Sequence, residues 1–438
     1  MIAPRAAVPT VTFVDEYCAA YMNVFPEVRT FENFKYLHLG MISDIKRKSL
    51  PAIAKAVGLH DAQPLQNFLT DSPWSVTELR EQRLALTLLM LKGQSFKLVI
   101  DETGDKKKGN HTDYVARQYI GNLGKIENGI VSVNAYGVVG DITFPLMFKI
   151  YKPKNTLKEA ELYKTKPQLA AEIIQELQEK GFKFDLVLAD SLYGESGTFI
   201  TVLNKYSLLY VVAIRSNHGG WLPPGEDVTY GEWKRCYRIF TSGTIEYRYI
   251  QEIRFGSRKP VTYWKITTDK GKQPKNQTWY VMTNLAGDVE QKLGNLYGFR
   301  NWIEYSFKQA KNELGWADFR VTDYKQIEKW WEVVMSAYLM VSLQAQNREP
   351  TVPPEEADGF SSTESVEPDI FSQHAWWDFN RGWKSTLNNL RLVVQPLIFF
   401  NLIKPWLAVF DIQCLKEGFL FLIEIMNEFR GYIPLHSG

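Results

Sequence analysis

Cysteine is scarce: Cys18, Cys236 and Cys414 are the only three in 438 residues. They lie far apart, are odd in number and never fall in C-x-x-C spacing. This argues against a disulfide framework or a thiolate zinc site and fits reduced thiols in the cytosol. The six histidines are equally scattered. The N-terminus lacks a basic flank followed by an apolar run, so no secretory signal is expected. Long apolar runs are also few. The one stretch of membrane-spanning length, 392–410, is interrupted by Gln395, Pro396, Asn401, Lys404 and Pro405, and is expected to form buried helices rather than a membrane span. No internal repeat is visible.

Net charge is small as well, +2, but unevenly placed. Residues 349–369 hold seven acids and no Lys or Arg, which leaves +9 on the remainder. That modest basic excess is compatible with a polyanionic partner without identifying one. The length allows two or three domains and a substantial core.

Residues 1–92 read as a helical, DNA-binding domain. It ends in an amphipathic run that opens on the capping-box pattern Ser75-Val76-Thr77-Glu78. Within it, 49–58 and 63–69 have the helix, glycine turn, helix pattern of a helix-turn-helix, preceded by Lys46-Arg47-Lys48. From 93 the texture changes: 96–101, 129–139 and 142–151 are rich in Val, Ile and aromatics, as expected of antiparallel strands. A helical segment at 156–180 leads to an apolar strand at 185–189, a short helix at 197–204 and a buried strand at 209–214. The order predicts an α/β fold, a mixed sheet with helices on its faces, spanning 93–345 and carrying a β-rich insertion at 217–277. The sheet texture returns at 278–284. An acidic, Pro- and Ser-rich segment, 346–371, reads as a flexible linker before a helical tail, 372–438.

The chemistry concentrates in a few residues. Tyr297, Arg300, Glu304 and Lys311 are spaced three, four and seven apart. On one helix, at about 100° per residue, they fall within an arc of roughly 60°. A carboxylate flanked by two cations and a phenol makes a poor core but suits a surface that holds a divalent metal and grips phosphates. Asp101 and Asp190 each close an apolar strand, where a sheet presents side chains to a crevice. Three carboxylates from three elements suit two-metal phosphoryl transfer, with ions about 4 Å apart. From spacing alone, Asp101 and Asp190 as plain turn formers stays an open alternative. After Asp101 come Glu102 and Asp105, expected at the surface or supporting the site, then Lys106-Lys107-Lys108, either a solvated loop or a steer for a DNA backbone.

The Y-x-x-R-x-x-x-E-x-x-x-x-x-x-K pattern, with Asp-Glu-Thr at 101–103 and an apolar strand running into Asp190, resembles the DDE transposases of bacterial insertion sequences. Within them it is most similar to the insertion sequence 701 and insertion sequence 4 groups. The resemblance covers roughly residues 40–345. It implies an RNase H-like core with Asp101, Asp190 and Glu304 as metal-binding catalytic triad. It further implies two Mg²⁺ ions, or Mn²⁺ in their place, and double-stranded DNA, both element ends and target, as substrate. Arg300 and Lys311 would contact phosphates, with Tyr297 in support. A homodimer acting on paired ends and a cytoplasmic, nucleoid-associated location without a membrane role also follow from it. In relatives with such an insertion, a tryptophan on the returning strand stacks on a displaced base, and Trp279 in Trp279-Tyr280-Val281-Met282 has that place. The other reading is a packed tryptophan, since Trp221, Trp233 and Trp264 crowd the region. Glu102 stands where many relatives carry Asp. The expected activity is binding of terminal inverted repeats, metal-dependent 3′-end cleavage and strand transfer. Its rivals are an inactive DNA-binding derivative and a structure-specific nuclease of the same fold.

Overall fold

The computed structural model describes residues 5–218, 225, 227–239, 244–255, 261–346 and 370–431. The acidic segment at 347–369, Trp221 and the chain end at 432–438 lie outside the described residues. The chain falls into two compact units: Gly93–Phe307 is one, and Met1–Lys92 with Lys308–Gly438 is the other.

Five helices precede the sheet: α1 (Thr12–Ala19), α2 (Val28–Ile42), α3 (Leu50–Ala56), α4 (Gln63–Thr70) and α5 (Val76–Leu91). Ser75 caps α5, its side chain accepting from Glu78 N at 3.2 Å.

The sheet unit holds β1 (Phe96–Lys106), β2 (Ala116–Ile120), β3 (Lys125–Val139), β4 (Ile142–Ile150), β5 (Phe184–Ala189) and β6 (Tyr210–Ile214). Then come β7 (Val228–Tyr230), β8 (Lys234–Ile239), β9 (Ile245–Phe255), β10 (Thr262–Thr267) and β11 (Thr278–Thr283). Its helices are α6 (Lys166–Glu179), α7 (Ser191–Gly194), α8 (Gly197–Lys205), α9 (Glu290–Gly298) and α10 (Asn301–Lys308). β4, β3 and β1 run antiparallel, then β5 and β6 follow parallel to β1. This is the RNase H-like mixed sheet. Parallel neighbours need a helical crossover, which α6 supplies between β4 and β5. α6 starts ten residues later than the pattern at 156–180 suggests, because Thr165 and Gln168 form a reciprocal capping box and Pro167 sits in the first turn.

The insertion extends the sheet instead of standing beside it. β11 pairs antiparallel with β6 and with β10, and β10 in turn with β9, so the strands form one eleven-stranded sheet.

The remaining helices, α11 (Tyr324–Gln346), α12 (Trp383–Val409) and α13 (Gln413–Met426), belong to the helical unit. α11 is buried nearly all round, the mark of a central helix, and packs against α2, α4, α5 and α12. Tyr17 Oη donates to Ser336 O (2.8 Å), His38 Nε2 lies 2.9 Å from Ser336 Oγ, and fully buried Arg83 donates to Glu332 at 2.5 Å. Residues 1–92 therefore share a core with α11 rather than forming a domain of their own, and the sheet unit ends at 307 instead of 345. The expected helix pair of the helix-turn-helix corresponds to α3 and α4. Lys48 of the basic triplet is buried, its ammonium donating to Ser43 O. Burial pushes that ammonium down to about 7.

The apolar stretch at 392–410 departs from expectation. It lies in one helix, α12, that passes through Pro396 and Pro405. By length and composition α12 could cross a membrane. Yet its N-terminal half carries Trp383, Leu387, Leu390, Val393 and Val394 into the core of the helical unit, while Trp406, Val409 and Phe410 are exposed.

Candidate active site

The parallel pairing of β1 with β5 stops at Ile100 opposite Ala189. The next residues, Asp101 and Asp190, therefore leave adjacent strands side by side, where strand spacing is about 4.8 Å. β1 itself does not end at Asp101, because 102–106 continue to pair with 129–133 of β3. Only the parallel ladder ends there. β5 does stop, and Asp190 caps the short α7, its Oδ1 accepting from Leu192 N at 2.9 Å. Gly194 lets that turn lie against β6: a Cβ on it would sit 1.9 Å from Ala213 O.

Asp101 Oδ1 accepts from the backbone of Glu102 (2.8 Å), and its Oδ2 accepts from Arg300 Nη1 (3.1 Å). Arg300 Nη2 reaches Glu304 Oε1 at 3.5 Å. One guanidinium thus ties the first acid to the third. Burial pulls the arginine down, but Tyr297, Asp101, Asp190 and Glu304 together hold its pKa above the ordinary value. Burial pushes the Asp101 carboxyl up to about 7 against the pull of Arg300, and Asp190 adds to the rise. Across the ladder from Asp101 stands Asn134, whose buried Oδ1 has no hydrogen-bond partner among the described residues.

The expected single helix is two helices and a turn. α9 ends at Gly298 and α10 begins at Asn301. Between them the backbone tightens, with Arg300 N donating to Tyr297 O (3.0 Å) and Trp302 N to Phe299 O (3.0 Å). Arg300 sits on that tight turn. Lys311 lies on the π-helical turn Gln309–Glu313, in the helical unit.

Two rings held between two cations run from the insertion to the acids. The Arg248 guanidinium lies 3.9 Å from the Trp279 ring centre, Trp279 meets buried Tyr297 edge-on at 5.3 Å, and Arg300 is 6.0 Å from the Tyr297 ring. One face of Trp279 is therefore already covered. On the sequence side, Arg248 gave no signal. Two further residues were equally hidden: Lys166, which donates to Glu102 Oε1 at 2.9 Å, and Tyr193, a buried phenol without a hydrogen-bond partner among the described residues. Burial, with Glu102, Asp101 and Asp190 nearby, pushes that phenol well above its ordinary pKa.

The lysine run lies farther out than its position in the sequence suggests. Lys106 ends β1, roughly 17 Å beyond Asp101 at about 3.4 Å per residue, and pairs with Glu127 at 3.1 Å. Lys107 N donates to Asn128 O, and burial pushes its ammonium down to about 8; Lys108 is exposed.

Comparison with known proteins decides the family. Residues 21–237 match the DDE superfamily endonuclease model, and 164–340 match the transposase DDE domain. A "Probable transposase for insertion sequence element IS701" from Microchaete diplosiphon is 56% identical over 329 residues, 75% of this chain and 87% of that protein. The chain belongs to the DDE transposases of the insertion sequence 701 type. A solved NurA nuclease from Sulfolobus solfataricus is 10% identical, with TM-score 0.23 over 51% of this chain and 84% of the other, too slight a likeness to carry an argument.

The transposase is an enzyme that acts on DNA, and its site chemistry fits a divalent cation. Asp101, Asp190 and Glu304 offer only carboxylate oxygens, the donors a hard cation takes. Among the described residues no group of three or more His, Cys, Asp or Glu side chains is drawn close enough together to hold a metal ion, so the structure brings Asp101 beside Asp190 without gathering all three acids into one ligand set. Glu304, 53% exposed, is the open member.

Proposed function

We propose that this transposase binds the terminal inverted repeats of its own element, cleaves their 3′ ends and joins them to target DNA, with Asp101, Asp190 and Glu304 as catalytic acids. The observation that carries this is the placement of Asp101 and Asp190 at the shared end of the parallel ladder, with Arg300 bridging Asp101 to Glu304. These three carboxylates would hold the divalent ions, Mg²⁺ or Mn²⁺, which when bound lower the pKa of an attacking water or hydroxyl and stabilise the leaving oxygen.

The residues around the acids do the positioning. In cleavage, water oxygen bonds to the scissile phosphorus as the bond to the 3′ oxygen breaks, leaving a 3′-hydroxyl at the element end and a 5′-phosphate on the flank. In strand transfer, that 3′ oxygen attacks a target phosphate and releases a target 3′-hydroxyl. Arg300 is placed to shift a hydrogen bond from Asp101 to a DNA phosphate, with Tyr297 packed beneath it. Lys311 is assigned a phosphate contact, and Lys106, Lys107 and Lys108 an outer contact with the flanking backbone. Base stacking by Trp279 on its covered face requires Arg248 to leave the ring. The tight turn at Arg300 and the capped turn at Asp190 hold the acids on ordered backbone, as metal chemistry requires. Two protomers would act on two paired ends in the cytoplasm, at the DNA.

The test is divalent-dependent cleavage of a duplex bearing the element's own end, with wild type beside Glu304→Gln. Cleavage by wild type alone, leaving a 3′-hydroxyl at the boundary, supports the reading. Binding without cleavage by either protein would reassign the chain as a DNA-binding derivative.

A further inference from the structure

The insertion has two unlike faces. Strand pairing puts Lys234, Cys236 and Arg238 of β8 on one face with Arg248 and Ile250 of β9, and Trp279 of β11 shares it through Ile266. α9 covers that face, with Gly294 against Cys236 and Gly298 against Arg238. The opposite face carries Arg235, Tyr237, Tyr247, Tyr249, Lys265 and Tyr280 in register, with Tyr230 at its β7 border. No Asp or Glu takes a paired position on it. Its rings are open to solvent: Tyr230 is 58%, Tyr237 39% and Tyr247 63% exposed.

Cations interleave these rings. The Arg235 guanidinium lies 5.6 Å from the Tyr247 ring centre, and the Lys270 ammonium 5.6 Å from that of Tyr249. Lys265 stands among three rings, 5.2 Å from Tyr230, 5.6 Å from Trp233 and 5.8 Å from Tyr280. Burial lowers the Lys265 pKa with no carboxylate opposing it. Its ammonium donates to Gln273 Oε1 at 3.2 Å, which leaves two N–H donors for another acceptor.

A face with cations but no acids complements a polyanion. Its broad, exposed rings decide which polyanion. A duplex keeps the flat faces of its bases stacked inside and would offer the tyrosines only sugar and phosphate. An unpaired strand offers both groups this face can use, bases to stack on the rings and phosphates for the cations. From Tyr247 to the position opposite Tyr230 is six residues of β9, roughly 20 Å at 3.4 Å per residue, room for a short run of nucleotides.

We infer that this open face of the insertion holds an unpaired DNA strand, its bases stacked on Tyr230, Tyr237 and Tyr247 and its phosphates met by Arg235, Lys265 and Lys270. The face lies opposite the one that carries Trp279, so it is a separate binding surface. The inference deepens the proposed reaction, and rests on it for its purpose, by naming the form of DNA held beside the site once a duplex end has opened.

The experiment is fluorescence anisotropy of the full chain with a fluorescein-labelled 20-nucleotide oligothymidylate and with a duplex of equal length, without divalent ions so that no cleavage occurs. The variants are Tyr230→Ala, Tyr247→Ala, Tyr247→Phe and Lys265→Met, with circular dichroism to confirm folding. Each alanine variant should bind the single strand about tenfold more weakly and the duplex within about twofold of wild type, while Tyr247→Phe keeps the ring and the affinity. Lys265→Met should flatten the single-strand salt dependence by about 0.7 in logarithmic slope. A wild type that does not hold the oligothymidylate would overturn the inference, as would alanine variants that bind it unchanged. An equal loss for duplex would overturn it too, giving the face to paired DNA, and self-association lost in the same variants would give it to a second copy. Failed end cleavage by a wild type that holds the single strand in this way would count against the proposed reaction and leave the surface standing.

Discussion

Arg300 donates to Asp101 Oδ2 at 3.1 Å and also reaches Glu304 Oε1, one helical turn on, at 3.5 Å. The same guanidinium therefore engages one oxygen on each of two of the proposed catalytic acids, so its loss would be felt at both.

Replacing Arg300 by Lys keeps a positive charge but loses the planar fork that spans two carboxylates. The expected result is a fall of about 10²-fold in single-turnover end cleavage, comparable to removal of a transition-state donor. A variant within a few fold of wild type would remove Arg300 from the reaction.

Asp101→Asn, Asp190→Asn and Glu304→Gln are each expected to abolish cleavage while end binding, read by gel shift in Ca²⁺, stays within a few fold, because only ion chelation is lost. Undiminished cleavage by any one would take that acid out of the triad.

Trp279 lies between Arg248 and Tyr297, so Trp279→Ala removes packing beneath the arginine-bearing turn. First-strand nicking and later end processing should fall together. If nicking were spared and only the later step impaired, the indole would be assigned to a displaced base instead.

For Lys311→Ala, the logarithm of the binding constant against that of salt concentration should flatten by about one unit, equally for cognate and unrelated DNA. An unchanged slope would deny the phosphate contact.

His38 governs acid stability. Burial pushes its imidazole down to about 4 against a hydrogen bond to Phe34 O, so the folded chain holds it neutral while the unfolded chain protonates near 6.5. The unfolded state therefore binds the extra proton between these values, and stability should drop by about 3 kcal/mol as pH falls from 6.5 to 4. Urea titrations of wild type and His38→Gln across that window should diverge accordingly. Parallel curves would show that His38 is not the titrating group.

The sequence made the chemistry more legible than the packing. Asp101, Asp190 and the motif around Glu304 stood out because charged residues at the ends of apolar runs break a pattern, and the sheet could be read from its Val- and Ile-rich segments. The outer half of β1 could not. Glu102-Thr103-Gly104-Asp105 looks like a loop, and it becomes a strand only because β3 is long enough to pair with it. Arg300 likewise looked helical, since i→i−3 tightening leaves no mark in composition. The largest misreading concerned helices α11 and α12. Their apolar faces were visible, but which surface covers a face depends on contacts distant in sequence, such as Tyr17 with Ser336 or Asn401 with Ala56.

β6 is flanked by β5 on one side and β11 on the other, and its Val211 and Val212 are fully buried. Cutting away β11 together with the insertion would leave β6 as a naked apolar border with open amides, a template for stray strands of other chains. β11 thus covers an edge of the core that would otherwise be open to pairing. Descendants of this architecture are free to lengthen or redecorate its outer strands, but any that lose β11 must find another cover for the same edge.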